Sequence, residues 1–195
     1  MPKNKLMMGM LSLLTAITLS ACNTGSETSE EPMDMDNETE ENMSQDSDHM
    51  NMDHSGSGEV PDDLQEAENP TYEVGSQAII ETDHMEGMKG AEATIVGAYD
   101  TTAYAVTYTP TTGGEPVENH KWVIHEELEN PGEQPLQSGD EATIAADHME
   151  GMDGATATID VAEETTVYMI DFTPTTGGEP VTNHKWVTES ELSAK

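Results

Sequence analysis

A six-residue motif containing one histidine, two methionines and a glycine occurs twice in the chain, at positions 83–88 and 147–152. Imidazole nitrogen and thioether sulfur are soft or borderline ligands that suit copper, and neither requires a free thiolate. The glycines in and after the motif indicate a tight loop, which can turn several donors towards one point. We therefore predict a metal site that favours Cu(I), with Cu(II) or Ag(I) as alternatives. Its candidate ligands are His84, Met85, Met88, His148, Met149 and Met152.

Each of these donors also has an ordinary structural interpretation. Small hydrophobic cores use methionine as filler, so the alternative is that Met85 and Met88 close the end of a barrel while His84 forms a hydrogen bond. His120 and His184 lie in a second repeated motif, Asn-His-Lys-Trp, where each shares a strand face with a tryptophan. They are candidates to complete the metal site, with packing beside the tryptophan as an equal alternative.

A further group of soft donors lies in an acidic segment, Asn23–Pro70, which contains 16 Asp or Glu and no Lys, Arg or aromatic residue. This composition, without hydrophobic periodicity, predicts a disordered tether at residues 22–70. Methionine has nothing to pack against in such a tether, yet five are present, two of them flanked by histidines. We predict metal binding there as well, with compositional drift as the alternative. The tether candidates are His49, Met50, Met52 and His54.

The amino-terminal residues indicate export and lipid anchoring. Lys3 and Lys5 precede an apolar stretch, Leu6–Leu19, and the sequence Leu-Ser-Ala then leads directly to Cys22. This arrangement is typical of a bacterial lipoprotein, in which a signal peptide at residues 1–21 is removed and Cys22 is lipidated. An ordinary signal peptide with a chance cysteine is the alternative. The prediction places the protein on the extracellular face of a Gram-positive-type cell membrane, anchored by its lipid.

The elements that must position the donors come from an internal repeat. Residues 75–128 align without gaps with residues 139–192 at an offset of 64, and 34 of the 54 positions are identical. Two copies of one small unit follow from this similarity. We place them at residues 71–130 and 131–195, on either side of a Pro- and Gly-rich linker.

Within each repeat, short alternating or β-branched runs predict several strands and no long helix. The residues Thr112-Gly113-Gly114-Glu115-Pro116 are a strong turn signal, and a further turn is predicted at Asp100-Thr101-Thr102. Many short strands in about 60 residues are typical of a small barrel. We therefore expect an all-β fold with two tandem SH3-like barrels, with OB-like barrels as the alternative.

The charge balance restricts the function further. The chain has 40 acidic residues against 6 lysines and no arginine, which gives a formal net charge of −34. Nucleic-acid binding needs a basic footprint, so we exclude nucleic acid as a partner. Once Cys22 is lipidated no thiol remains, and the sequence has no serine-hydrolase, metalloprotease or phosphate-loop motif. We predict a non-enzymatic monomer whose partners are metal ions and the membrane that its lipid enters.

The two repeated motif blocks, the lipoprotein signal and the acidic Met/His tether together resemble the tandem-domain YdhK-like bacterial lipoproteins. The similarity extends over essentially the whole chain. Some proteins of this kind resemble the CopL-type lipoproteins, which bind copper at the cell surface and are linked to copper resistance. The resemblance implies copper sequestration outside the membrane, through the repeated histidines and methionines, with His120 and His184 as further candidates.

Two other functions stand as alternatives. Tandem SH3-like barrels commonly bind peptides or cell-wall polymers through aromatic grooves, although only 4% of this chain is aromatic. A strongly acidic, arginine-free composition also fits adaptation to a salty medium, without any metal role.

Overall fold

The computed structural model describes residues 55–195, in which nearly all regular structure is β-strand. The predictions of an all-β fold and of two tandem repeats are confirmed. The lipoprotein signal with Cys22 and the tether donors His49, Met50, Met52 and His54 lie outside the described residues. No helix within residues 55–195 is long and apolar enough to cross a membrane.

One sheet of eight strands contains both repeats. The elements are β1 (Gln65–Glu66), β2 (Gln77–Ile80), β3 (Glu92–Tyr108), β4 (Val117–Ile124), η1 (His125–Glu127), β5 (Glu141–Thr143), β6 (Thr156–Phe172), β7 (Val181–Thr188), η2 (Glu189–Glu191) and β8 (Leu192–Ala194). The central path of the sheet runs in the order β5-β6-β3-β2-β8, while β1 and β4 also pair with β3, and β7 pairs with β6. The 3-10 turns η1 and η2 follow the equivalent strands β4 and β7.

Strands β3 and β6 are 17 residues long and pair antiparallel along almost their whole length. The predicted turn at residues 100–102 is wrong, because these residues lie in the middle of β3 and face residues 164–166 of β6. Threonine favours strands, and the Thr166 hydroxyl donates a hydrogen bond to Asp100 Oδ1 at 2.7 Å. Pairing between the repeats therefore overrides the local turn preference. The glycine turn at residues 112–116 is confirmed, with φ of 86° at Gly113 and 118° at Gly114.

The two repeats are related by an approximate two-fold axis. Thr101 pairs with Thr165, which is its own counterpart at the offset of 64. Pairs on either side of this point are reciprocal, since Ala93 faces Phe172 as Tyr108 faces Ala157. Contacts made by the first repeat to the second are consequently repeated in the other direction.

Two hydrophobic cores at the periphery of the sheet each contain residues of both repeats. In the first peripheral core, Ile80 and Met88 pack with Tyr168 and Ile170. In the second peripheral core, Met152 and its neighbours pack with residues of the first repeat. A central core contains both tryptophans, Trp122 and Trp186. The strand pairing has the same pattern, because β2 of the first repeat pairs with β8 at the end of the second. The ranges 71–130 and 131–195 are thus sequence units, whereas the cores are shared between them.

Residues 55–70, assigned to the tether from their composition, are part of the folded unit. Leu64 is buried against the central core and Val60 packs beside it. Gln65 and Glu66 then form β1, which pairs with Tyr99 and Asp100 of β3. Two apolar side chains and a short strand hold this acidic segment in place, features too sparse to outweigh its polar composition in the sequence.

Candidate metal centre

One pocket of about 560 Å³ collects residues from both repeats. Its walls include the loop after β2, the equivalent loop after β5, and the first half of both β4 and β7. Three residues that precede the repeats, Ser55, Gly56 and Ser57, also line it. The predicted ligands found here are His84, Met85, His120, His148, Met149 and His184.

The two histidine-containing loops are shaped by glycine and held by the opposite repeat. Gly87 has a φ of 77°, and a Cβ at this position would lie 2.6 Å from Thr176 Oγ1. The Thr175 amide donates to the Gly87 carbonyl at 2.8 Å, and the Thr111 amide donates to the Gly151 carbonyl at the same distance. Only glycine combines this backbone conformation with so close an approach. The glycine motif of each repeat therefore contacts the Thr-Pro-Thr-Thr turn of the other repeat.

The histidines of β4 and β7 are placed by an asparagine and an aromatic ring. Asn119 and Asn183, which precede them, both have a φ of 52°, a conformation that asparagine tolerates better than most residues. The His120 ring packs edge-to-face on Tyr108, with centroids 6.1 Å apart. The equivalent His184 packs on Phe172 at 5.8 Å. The two histidines therefore pack against Tyr108 and Phe172, where packing beside a tryptophan was the expected alternative, and both line the pocket.

The four motif methionines divide into two pairs. Met88 and Met152 are fully buried in the two peripheral cores and do not line the pocket, so the structure supports core packing for them and not metal ligation. Met85 and Met149 line the pocket and are only partly buried. The Tyr108 hydroxyl contacts Met149 Sδ at 4.0 Å. The loop turns one methionine outward and the other inward, so two thioethers remain as candidate ligands.

His84 is held by a carboxylate from the other repeat. Its Nε2 donates to Glu191 Oε1 at 2.8 Å. Glu191 Oε2 accepts from Trp122 Nε1 at 2.7 Å and from the Thr188 amide at 3.1 Å. Burial raises the pKa of Glu191, but the hydrogen bond and charge of His84, the Thr188 amide and Trp122 outweigh burial and lower the pKa to about 2.

The same arrangement occurs around His148 with the repeats exchanged. His148 Nε2 donates to Glu127 Oε1 at 2.8 Å, while Glu127 Oε2 accepts from Trp186 Nε1 at 3.0 Å and from the Ile124 amide at 3.2 Å. Burial again opposes ionisation, and the hydrogen bonds and charge of His148, followed by Trp186 and the Ile124 amide, lower the pKa of Glu127. Both glutamates are thus ionised at neutral pH and accept hydrogen bonds only.

His120 is kept neutral by its surroundings. Burial lowers its pKa first, the charges of His148 and His84 lower it further, and Glu127 acts in the opposite direction, which leaves a pKa of about 4. The His120 and His148 ring centroids are 6.4 Å apart. A neutral imidazole retains one unprotonated nitrogen, the form in which histidine binds a metal.

Three imidazole nitrogens in this pocket are buried without a hydrogen-bond partner in residues 55–195, namely His84 Nδ1, His120 Nε2 and His148 Nδ1. Buried polar atoms are rarely left unsatisfied, so these nitrogens favour a ligand. Within the same residues, no group of three or more His, Cys, Asp or Glu side chains is arranged to hold a metal ion. A site built from this pocket would therefore combine imidazole with the thioethers of Met85 or Met149. The donors present fit copper on these grounds.

Glu127 and Glu191 were not anticipated as site residues. In a chain with 40 acidic residues, no single carboxylate stands out. The one indication in the sequence is that the two glutamates occupy equivalent positions in the repeats, whereas the adjacent Glu126 corresponds to Ser190. The burial of Glu127 beside Trp186 and of Glu191 beside Trp122 could not be read from the sequence, because the tryptophan and the glutamate of each pair belong to different repeats.

His125 is half-buried and lies outside the pocket. Its Nδ1 and the Tyr104 hydroxyl are 2.9 Å apart, and its Nε2 lies 2.9 Å from the Gly132 carbonyl. The counterpart Glu189 accepts a hydrogen bond from the hydroxyl of Tyr168 at 3.3 Å. Each residue therefore forms a hydrogen bond with the hydroxyl of a buried tyrosine, which explains why a histidine can take the place of a glutamate here.

Comparison with known proteins places the chain among its relatives. Residues 74–125 and 138–189 both match the family DUF1541, which is described as a protein of unknown function. The chain belongs to the DUF1541 family. The two matches coincide with the internal repeats, and the similarity to YdhK-like proteins drawn from the motifs is confirmed.

Relatives from Bacillus subtilis support this membership. The uncharacterized protein YdhK is 58% identical over 192 residues, which cover 98% of this chain and 90% of YdhK. The chain in a crystal structure of the DUF1541 family protein ydhK has 66% sequence identity to this chain and a TM-score of 0.72, and the match covers 75% of this chain and 100% of that one. The chain in a solution NMR structure of the ydhK C-terminal domain has 67% sequence identity and a TM-score of 0.61, and the match covers 63% of this chain and 93% of that one.

Proposed function

We propose that this DUF1541 protein binds copper ions at the outer face of the cell membrane and sequesters them, without catalysing a reaction. The observation that supports the proposal is that four histidines and two methionines from both repeats line one pocket. Within it, nitrogens of His84, His120 and His148 are buried without a partner in residues 55–195. Binding of a metal ion would satisfy these nitrogens and offset the cost of burying them.

Cu(I) suits this set of donors better than the other common ions. Imidazole and thioether ligands both bind Cu(I) well, and Ag(I) and Cu(II) are the alternatives that the same groups accept. A structural zinc site needs four Cys, His or carboxylate ligands in a tetrahedron. The described residues bring no three such groups together, which disfavours zinc here. The partly buried thioethers of Met85 and Met149 supply the preference for the softer ion.

The acidity of the chain has a separate role in this proposal. A formal net charge of −34 attracts cations of every kind and raises their concentration near the protein. Carboxylates prefer harder ions such as Mg²⁺ and Ca²⁺, so they do not select copper. The acidic surface therefore attracts cations in general, and the histidines and methionines select copper among them.

Membrane anchoring belongs to the same proposal. Lipidation of Cys22 would hold the protein at the extracellular face, and the acidic tether would separate the folded unit from the membrane. The tether donors end at His54, and the next residue in sequence, Ser55, lines the pocket. The tether donors therefore directly precede, in sequence, a residue that lines the pocket, which favours a shared role in collecting metal.

Competition between the full chain and a Cu(I) chelator tests the proposal. We expect Met85→Leu with Met149→Leu to weaken Cu(I) affinity about tenfold or more, since the exchange removes two soft ligands but keeps the side-chain volume. Met88→Leu with Met152→Leu is the matched control, because these methionines lie in the same loops but face the cores. This control should retain affinity within about twofold.

Two results would overturn the proposal. The first is the absence of any competition with the chelator. The second is unchanged affinity after His84, His120, His148 and His184 are all replaced by glutamine. Replacement of His49, Met50, Met52 and His54 in a separate variant measures the share of the tether, and loss of all binding in that variant would overturn the assignment to the pocket.

A cell-wall or peptide-binding module is the alternative, and one observation disfavours it. Recognition of peptides and polymers by small barrels relies on exposed aromatic side chains. None of the aromatic side chains in residues 55–195 is exposed, and both tryptophans lie in the central core. Retention on purified cell wall without metal would favour this alternative over copper binding.

A further inference from the structure

Glu127 and Glu191 are buried carboxylates that do not line the pocket, yet each is bonded to a histidine that does. A buried charge is costly unless it is paired and fully hydrogen-bonded. Each glutamate meets that condition with one backbone amide from its own repeat and two side-chain donors, a histidine and a tryptophan, from the other.

The protonation of imidazole determines what each carboxylate does to its histidine. A neutral imidazole carries a proton on one nitrogen and a lone pair on the other, and an ionised carboxylate can only accept a hydrogen bond. The contacts of 2.8 Å between His84 Nε2 and Glu191, and between His148 Nε2 and Glu127, therefore place the proton on Nε2. The lone pair is left on Nδ1, which in both histidines is the buried nitrogen without a partner in residues 55–195.

We propose that Glu127 and Glu191 are positioning residues that act across the repeats, each fixing the ring orientation and the Nε2–H tautomer of a histidine so that its Nδ1 is available to a metal ion. The metal role rests on the proposed function, whereas the tautomer is a property of the metal-free protein. Carboxylates that hold the second nitrogen of a ligating histidine commonly orient the ring and raise its basicity. The tryptophans fix the carboxylates in turn, through Trp122 for Glu191 and Trp186 for Glu127.

Replacement by glutamine provides a nearly isosteric test. Glu191 Oε2 accepts from Trp122 and from the Thr188 amide, so in Glu191→Gln the amide oxygen should take this place. The amide nitrogen then occupies the place of Oε1 and donates to His84 Nε2, which must become the unprotonated nitrogen. The variant should therefore move the proton of His84 to Nδ1 and reverse the direction of this hydrogen bond.

Histidine nitrogen NMR of the metal-free full chain, at a pH of about 8.5 where imidazole is ordinarily neutral, reads the tautomer directly. We expect His84 and His148 both to be Nε2–H in the original protein. Glu191→Gln should change His84 and leave His148 unaltered, and Glu127→Gln should do the reverse. Glu126→Gln is the matched control, because Glu126 adjoins Glu127 but bonds to Thr101.

Cu(I) competition on the same variants separates this inference from the proposed function. We expect each glutamine variant to bind Cu(I) about 10- to 100-fold more weakly, and Glu126→Gln to bind as the original does. If the original chain binds no copper, the proposed function fails, and the metal role of the glutamates fails with it. If it binds copper and both glutamine variants bind equally well, the inference alone is overturned. An Nδ1–H tautomer of His84 or His148 in the original protein also overturns it, even if a variant does not fold.

Discussion

The two halves of the pocket carry the same motifs but differ in what lies against them. On the β7 half, Gly56 donates its amide to the Thr182 carbonyl at 2.9 Å, and Lys185 Nζ donates to the Glu59 carbonyl at 2.7 Å. On the β4 half, Glu118 replaces Thr182, and Lys121 Nζ lies instead 3.9 Å from Glu191 Oε1. The repeats thus supply two equivalent sets of donors, and the single segment that precedes them makes the two halves unequal.

The largest loss of stability should come from removing the buried carboxylate of Glu127 or of Glu191. Glu127→Ala leaves His148, the Trp186 N–H and the Ile124 amide unpartnered in a core, so we expect a loss of about 3 to 5 kcal/mol in unfolding free energy. The Glu191 side chain is 11% exposed against 4% for Glu127, so water reaches its partners more easily and Glu191→Ala should cost less. Urea unfolding of both variants measures the difference, and an equal or reversed order would contradict it.

The next effect is a loss of stability in acid that begins with His120. The pKa of its folded state, about 4, lies below the ordinary value of 6.5, so the unfolded chain binds the proton more readily and stability falls as the pH drops from about 6.5 to 4. We expect this loss to be roughly 1 to 3 kcal/mol. Urea unfolding at several pH values in this range should show that the unfolding free energy falls less steeply with pH in His120→Gln than in the original chain, and an equally steep fall would contradict the assignment to His120.

Glu191 adds a second loss at lower pH, with the same sign. Its folded pKa of about 2 lies below the ordinary 4.5, so the stability that it contributes is present above pH 4.5 and is lost as the pH falls towards 2. Glu191→Gln should remove this part of the pH dependence while keeping the part that His120 provides. A variant that still loses stability as steeply as the original below pH 4.5 would contradict the assignment.

A smaller effect should show that the glycine contacts are equal in both halves. A Cβ at Gly87 would lie 2.6 Å from Thr176 Oγ1, and one at Gly151 would lie 2.6 Å from Thr112 Oγ1. We expect Gly87→Ala and Gly151→Ala each to cost about 1 to 2 kcal/mol. Gly90→Ala, where φ is also positive but no atom lies within 4 Å, should cost less. Thermal unfolding compares the three, and unequal costs for Gly87 and Gly151 would show that the halves differ here too.

The smallest effect should fall on the segment that makes the halves unequal. A Cβ at Gly56 would lie 2.5 Å from the Asn183 carbonyl oxygen, so Gly56→Ala should release residues 55–59 from β7. Because this edge is exposed, we expect a cost of less than about 1 kcal/mol. Amide hydrogen exchange should become faster at Gly56 but stay unchanged in β4. Equal changes in both strands would mean that the segment supports the whole pocket.

The sequence predicted the features that depend on residue types within one repeat. The all-β fold, the glycine turn at residues 112–116 and the histidines of the pocket all follow from local pattern and composition. The carboxylates Glu127 and Glu191, the continuity of β3 through residue 101 and the inward turn of Met88 could not be predicted in this way. Each of these depends on pairing between repeats, which the pattern within a single repeat does not encode.

The shared cores have a consequence for the history of the chain. A protein with one repeat would possess half of each peripheral core, half of the long strand pair, and a glutamate without the histidine that it holds. Two such chains would complete every one of these sets by exchanging halves about a two-fold axis. The present chain therefore has the architecture of a symmetric dimer whose two copies are joined by the short connection at residues 129–135.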